Sequence, residues 1–139
     1  MIGFRMIMVK VEQFAILNKN LLNEEVGFNT SLSFGFNVPK SEISVRTKYE
    51  LVQLEEKMVI LELNCLFEVR KEDLDLLKTE NKIVFPKEFL AHLAMHAVGT
   101  ARGVLFSKTE GTIFNQFILP PINVASKISD DIVLDDIDI

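Results

Sequence analysis

Phe28-Asn29-Thr30-Ser31-Leu32-Ser33-Phe34-Gly35-Phe36-Asn37-Val38, closed by Pro39, is the stretch whose reading decides the fold. Phe28, Thr30, Leu32, Phe34, Phe36 and Val38 alternate with Asn29, Ser31, Ser33, Gly35 and Asn37. A period of two sends alternate side chains to opposite sides, so this is a strand over 28–38 with one apolar face. Pro39 has no N–H to give a ladder and ends the run.

Downstream the pattern repeats. Over 43–54, Ile43, Val45, Thr47, Tyr49 and Leu51 alternate with Ser44, Arg46, Lys48 and Glu50, and Glu55-Glu56-Lys57 reads as a short turn. A further strand over 58–70 carries Val59, Leu61, Leu63, Cys65, Phe67 and Val69 on one side. Upstream, residues 4–17 place Ile7, Val9 and Val11 on one parity but Met6 and Met8 on the other, followed by Phe14, Ile16 and Leu17. That is a long strand, apolar on both faces and open to a bend. Short connections favour an antiparallel meander, because parallel pairs need long crossovers.

After Val84-Phe85-Pro86 the period changes. Leu90, Leu93, Ala94, Ala97, Val98, Ala101, Val104 and Leu105 recur at threes and fours, which predicts one helix over 87–107. Pro86 suits the first turn, and Glu88 suits the positive end of the helix dipole. Small residues on the apolar stripe (Ala94, Ala97, Ala101) call for a close neighbour, either the sheet or a partner helix. Gly99-Thr100-Ala101-Arg102-Gly103 falls inside the helix and lacks the Lys-Ser/Thr pair of a phosphate loop, so it reads as close packing or a kink. Gly111 ends the next turn. Residues 112–124 are extended and apolar with two prolines, and 127–139 form an acidic–apolar tail expected to be flexible.

Composition narrows the function. The chain has 139 residues, a length for one domain, with 48% apolar residues, eleven Phe and no Trp. Phe has no polar handle, so it serves cores and apolar binding surfaces. The net charge is −5, and the bias is local: five Asp and no base lie in 129–139. No basic stripe capable of neutralising phosphates is present, which argues against nucleic acid. One cysteine permits no internal disulfide and fits a reducing compartment. Met1-Ile2-Gly3-Phe4-Arg5-Met6 lacks the basic region and cleavage site of a signal peptide, and no apolar run reads as a membrane span, so a cytoplasmic location is expected.

Catalytic signatures are absent. Glu88, His92 and His96 are spaced by four on one helix face, which could hold a metal, but the zinc-protease helix signature is missing and no third histidine exists. A packed or solvated face accounts for them, and no metal or cofactor is expected. Cys65 sits on an apolar parity, where a free thiol behaves as a small hydrophobe, and no Gly-x-Ser-x-Gly elbow occurs. An enzyme is not expected. Leu32, Phe34 and Phe36, with Phe114, Phe117, Ile118 and Leu119, would form a long apolar surface if they adjoin, and such surfaces bind other chains. The same residues could equally be core beneath the helix.

The C-terminal third carries a family resemblance. Val84-Phe85-Pro86 opening a helix, then Ala101-Arg102-Gly103, then Ile118-Leu119-Pro120-Pro121-Ile122-Asn123-Val124, in that order, resembles SecB, the protein-export chaperone family. The resemblance spans roughly residues 4–124 and extends to the four strands before the helix. It implies an α+β fold, a four-stranded antiparallel sheet with a long helix packed on it, in one domain over 1–126. It also implies a homo-tetramer, a dimer of dimers, with Ala94, Ala97 and Ala101 at the contact between copies. The implied function is to hold unfolded polypeptide in apolar grooves without ATP, with Leu32, Phe34, Phe36, Phe114, Phe117 and Leu119 as the polypeptide-binding residues. Partners would be unfolded clients, with a translocase motor or an antitoxin as further candidates. Export, a dedicated toxin–antitoxin client, and a non-chaperone interaction module on the same fold all stay open. SecB has a further C-terminal helix where this chain has only its tail, and the family's acidic docking patch has no sure match beyond the neighbourhood of Glu62.

Overall fold

The structure is a computed structural model and describes residues 1–135. Four long strands form one antiparallel sheet: β1 (Phe4–Ile16), β2 (Val26–Asn37), β3 (Glu42–Gln53) and β4 (Glu56–Val69), in the spatial order β1-β4-β3-β2. The expected meander holds for β2 to β4. The first strand departs from it and lies beside β4, at the opposite edge from β2. Residues 17–25 must therefore cross the end of the whole sheet. Gln53, buried at the end of β3, holds this crossing: its amide nitrogen donates to the carbonyls of Leu22 (2.8 Å) and Glu24 (3.1 Å), and its oxygen accepts from the Leu22 N–H (2.9 Å).

The mixed parity of β1 has a local cause. Its register against β4 slips between Met6 and Met8 and again between Val11 and Gln13. Each β-bulge inserts one residue and resets the alternation. Phe4, Met6, Val9, Val11, Phe14 and Ile16 thus oppose Val69, Phe67, Cys65, Leu63, Leu61 and Val59 in turn, all on one face. The β3–β4 hairpin turns at Leu54 and Glu55, one residue earlier than expected, with φ of 51° and 63°. Two consecutive positive φ angles match the right-handed twist of the strands, although neither residue is the Asn or Gly that such a turn prefers.

One face of β3 and β4 is core. Ile43, Val45, Tyr49 and Leu51 on β3 and Leu61, Leu63, Cys65 and Phe67 on β4 are all buried. A long helix crosses them. Between sheet and helix the chain makes α1 (Lys71–Leu76) and a small hairpin, β5 (Lys78–Thr79) and β6 (Lys82–Phe85), before α2 (Lys87–Lys108). Pro86 stands one place before the helix, with extended backbone (φ −62°, ψ 139°), so it precedes the first turn. The helix buries Leu90, Leu93, Ala94, Ala97, Val98, Ala101 and Leu105 against the sheet. By length and composition α2 is apolar enough to cross a bilayer, which the sequence did not lead us to expect. Its apolarity here serves the sheet.

Beyond α2, a short turn at Ile113–Gln116 begins an arm that leads to α3 (Val124–Lys127). The tail, expected to be flexible, then turns back. Ile132–Leu134 forms β7, antiparallel to β6, completing a three-stranded sheet β5-β6-β7. The last four tail residues lie outside the described residues.

Candidate functional site

The candidate binding row lies on the helix side of β2, one of the sheet's two edge strands. Phe28, Thr30, Leu32, Phe34 and Phe36 all point to that side and are all half-buried, unlike the fully buried rows of β3 and β4. The reason is positional: α2 covers the two central strands, and nothing of equal bulk covers β2.

Two structures line this edge. Along its first half runs the arm 112–124. Phe28 meets Phe114 and Phe117, with Tyr49, Leu51 and Leu105 below them, around a cavity of about 10 Å³. Leu32 meets Ile122 and Val124, with Thr30, Tyr49 and Val98, around a second cavity of about 10 Å³. Each has the room of a single water, so arm and strand are in contact there. Arg102 fixes the arm: its Nε donates to the Leu119 carbonyl (2.8 Å) and a terminal nitrogen donates to that of Pro120 (3.4 Å). Along the second half, Phe34 stacks on Phe36 (ring centroids 6.4 Å) and Phe36 stacks on the buried Phe85 (4.6 Å, 23°).

The six polypeptide-binding candidates therefore divide. Leu32, Phe34, Phe36 and Phe117 lie at the half-open edge. Phe114 (2% exposed) and Leu119 (1%) are core, because the arm folds down onto the sheet and turns those two side chains inward. The exposed side of the arm is instead Ile113 and Ile118.

The helix candidates need a larger correction. Ala94, Ala97 and Ala101 are fully buried on the face packed against this chain's own sheet, so they cannot meet a partner. Their small size lets α2 sit close to β3 and β4. The outward face carries His92, Met95 (61% exposed), His96, Gly99, Gly103 and Phe106 (48% exposed). A Cβ added at Gly99 or Gly103 would touch nothing within 4 Å. Neither glycine makes a close contact in this chain, and neither breaks the helix, although each costs about 1 kcal/mol there relative to alanine. The half-exposed row Met6, Val9 and Val11 of β1 borders this face, with Thr100 Oγ reaching Met6 Sδ at 4.0 Å.

Reactive groups are quiet. His92 and His96 stack on each other (5.2 Å) and pack against the Phe4 ring (5.2 and 5.5 Å). Among the described residues no three His, Cys, Asp or Glu side chains converge to hold a metal. Burial pushes the Cys65 thiol up to about 11, so it stays protonated near neutrality. Burial also raises the Tyr49 phenol. Thr47 lies beside it but not in hydrogen-bonding geometry, so both hydroxyls are unpartnered. On the sheet's outer face the acids are paired: Glu62 and Glu12 flank Arg46 (3.7 and 3.8 Å), and Glu68 meets Arg5 (3.0 Å).

The four-stranded antiparallel sheet with one long helix across a face is a fold shared with a SecB-like chaperone of known structure. Among solved structures the chain is similar to a SecB-like chaperone of Mycobacterium tuberculosis, determined in complex with a peptide from an antitoxin. The TM-score is 0.57 at 14% identity, covering 86% of this chain and 90% of that one. No protein-family profile matches the chain, and no curated protein sequence does.

Proposed function

We propose that this protein is a divergent chaperone of the SecB type that holds non-native polypeptide in extended form, without ATP and without catalysis. The observation that carries this is the half-open aromatic row Leu32, Phe34, Phe36 at the free edge of β2, on a fold whose solved relative holds a peptide. A half-exposed row offers a visiting chain apolar area at about 25 cal/mol per Å² without unfolding the host.

A dedicated client fits better than general export. The outer sheet face sets Glu12, Glu62 and Glu68 against Lys10, Arg46 and Arg5, a poor surface for docking by acidic charge. The antitoxin peptide held by the structural relative favours the same choice. The working form is a cytoplasmic homo-tetramer. Its contacts use the outward face of α2, where Met95, Gly99, Gly103 and Phe106 leave an apolar surface with room for close approach, together with the neighbouring row of β1.

Refolding kinetics test this. A reduced, slowly folding client mixed with equimolar protein should regain its native signal more slowly, and Phe34→Asp should abolish the delay while the far-UV spectrum stays unchanged. Undelayed refolding with the wild-type protein would dismiss the chaperone reading.

A further inference from the structure

We infer that the β6 edge and the first turn of α2 form an acceptor for an extended segment of pattern Asp-apolar-x-apolar, which the chain's own tail fills until an incoming partner segment displaces it. The occupant is visible. Ile132, Val133 and Leu134 pair antiparallel with Phe85, Val84 and Ile83. Just before them, the Asp131 carboxylate accepts from the Lys87 N–H at 2.8 Å. That bond supplies what α2 lacks: Pro86 precedes the helix and has no side-chain group to cap it. The acid and the alternating apolar pair thus read one continuous site, ladder on one side and helix start on the other.

The tail is built to leave. Its strand is three residues long, Val133 is 47% exposed, and Ile132 and Leu134 are only half-buried. Residues Ser129 to Asp131, which tether it to the buried Ile128, are exposed. Open clefts of about 430 and 520 Å³ flank that tether beside Lys87 and Glu88. The site also joins the aromatic row, since Phe85 of β6 stacks on Phe36.

The identity of the incoming segment as a client rests on the proposed function; the acceptor itself does not. A fluorescent peptide of the sequence Ser-Asp-Asp-Ile-Val-Leu-Asp (residues 129–135) is the probe, read by anisotropy against the full wild-type chain and the full chain carrying Ile132→Asp and Leu134→Asp. The tethered tail competes at an effective concentration on the order of millimolar. The double variant, with the acceptor untouched, should therefore bind the probe about tenfold tighter or more. A probe with Ala in place of Asp131 should bind about fivefold more weakly, in line with a lost cap. Equal binding by both proteins, or by both probes, overturns the inference. Should the double variant fold poorly by circular dichroism, a nitroxide-labelled probe in excess over the wild-type chain decides it: broadening of the amide signals of Ile83, Val84, Phe85 and Lys87 supports the acceptor and its lack refutes it. Client refolding measured on the same proteins separates the two ideas. Probe uptake without client delay sinks the chaperone reading alone, and client delay without probe uptake sinks the acceptor alone.

Discussion

Truncating two phenylalanines to alanine, Phe114 and Phe34, separates core from binding surface by energy. Phe114 is 2% exposed and sits under the arm among Phe28, Tyr49, Leu51, Val59, Leu105 and Phe117. The cavity already beside it is only about 10 Å³, so its neighbours have little slack, and losing the ring should cost ~3–5 kcal/mol. Phe34 is half-buried at a sheet edge, with its ring against Phe36 at 6.4 Å. Its removal forfeits part of the ring's burial and one aromatic contact, about 1–2 kcal/mol. Urea unfolding at one fixed protein concentration reads both, since assembly would add a concentration term. Phe114→Ala should lower the midpoint markedly with an unchanged slope, and should lower the melting temperature by roughly 10–20 °C. Phe34→Ala should move both only slightly. Equal losses would refute the reasoning, because they would make Phe34 a core residue with nothing to offer a client.

Two further outcomes follow from single residues. Glu55→Gly should stabilise the domain by about 1 kcal/mol in the same assay, since Glu55 sits at φ 63° in a turn that glycine adopts without penalty; a loss of stability would argue against that turn. Cys65 binds its proton more tightly folded (about 11) than at its ordinary 9.0, so its contribution is complete below pH 9 and is lost as pH rises through 11. Thermal melts against pH should decline across that window, on the order of 2–3 kcal/mol in total, and the Cys65→Ala protein should show a shallower decline. At pH 8 the folded protein should resist iodoacetamide until urea opens it.

The helix and the three strands β2 to β4 were legible because each is long enough for its period to show. The alternation from Phe28 to Val38 needs only one face to be apolar, and that is what the edge strand provides. β1 was legible as a strand but not in register, since two bulges shift Val9 and then Phe14 back to the inner face, and a sequence shows only that both parities are greasy. Small residues on α2 correctly announced a close neighbour. Whether that neighbour was the sheet or another chain depends on which side of the helix meets β3 and β4, and periodicity alone cannot say. The outward glycines Gly99 and Gly103 were the better sign of an open face, masked by their place within a helical run. The small sheet was invisible for a different reason: β5 and β7 have two and three residues, and β7 pairs across 47 or more positions with β6. Phe114 and Leu119 belong to an arm whose direction is set by Arg102, a tertiary contact with no local signature.

The claim on which function depends is that the β2 edge takes up unfolded chain. Placing a photo-crosslinking phenylalanine analogue at position 34 and irradiating with a client held unfolded, and separately with the same client folded, tests it at the residue concerned. A crosslinked product with the unfolded client only, lost when the Leu32→Asp change is added, is the expected result. Crosslinks to neither client, from a folded protein, would contradict it.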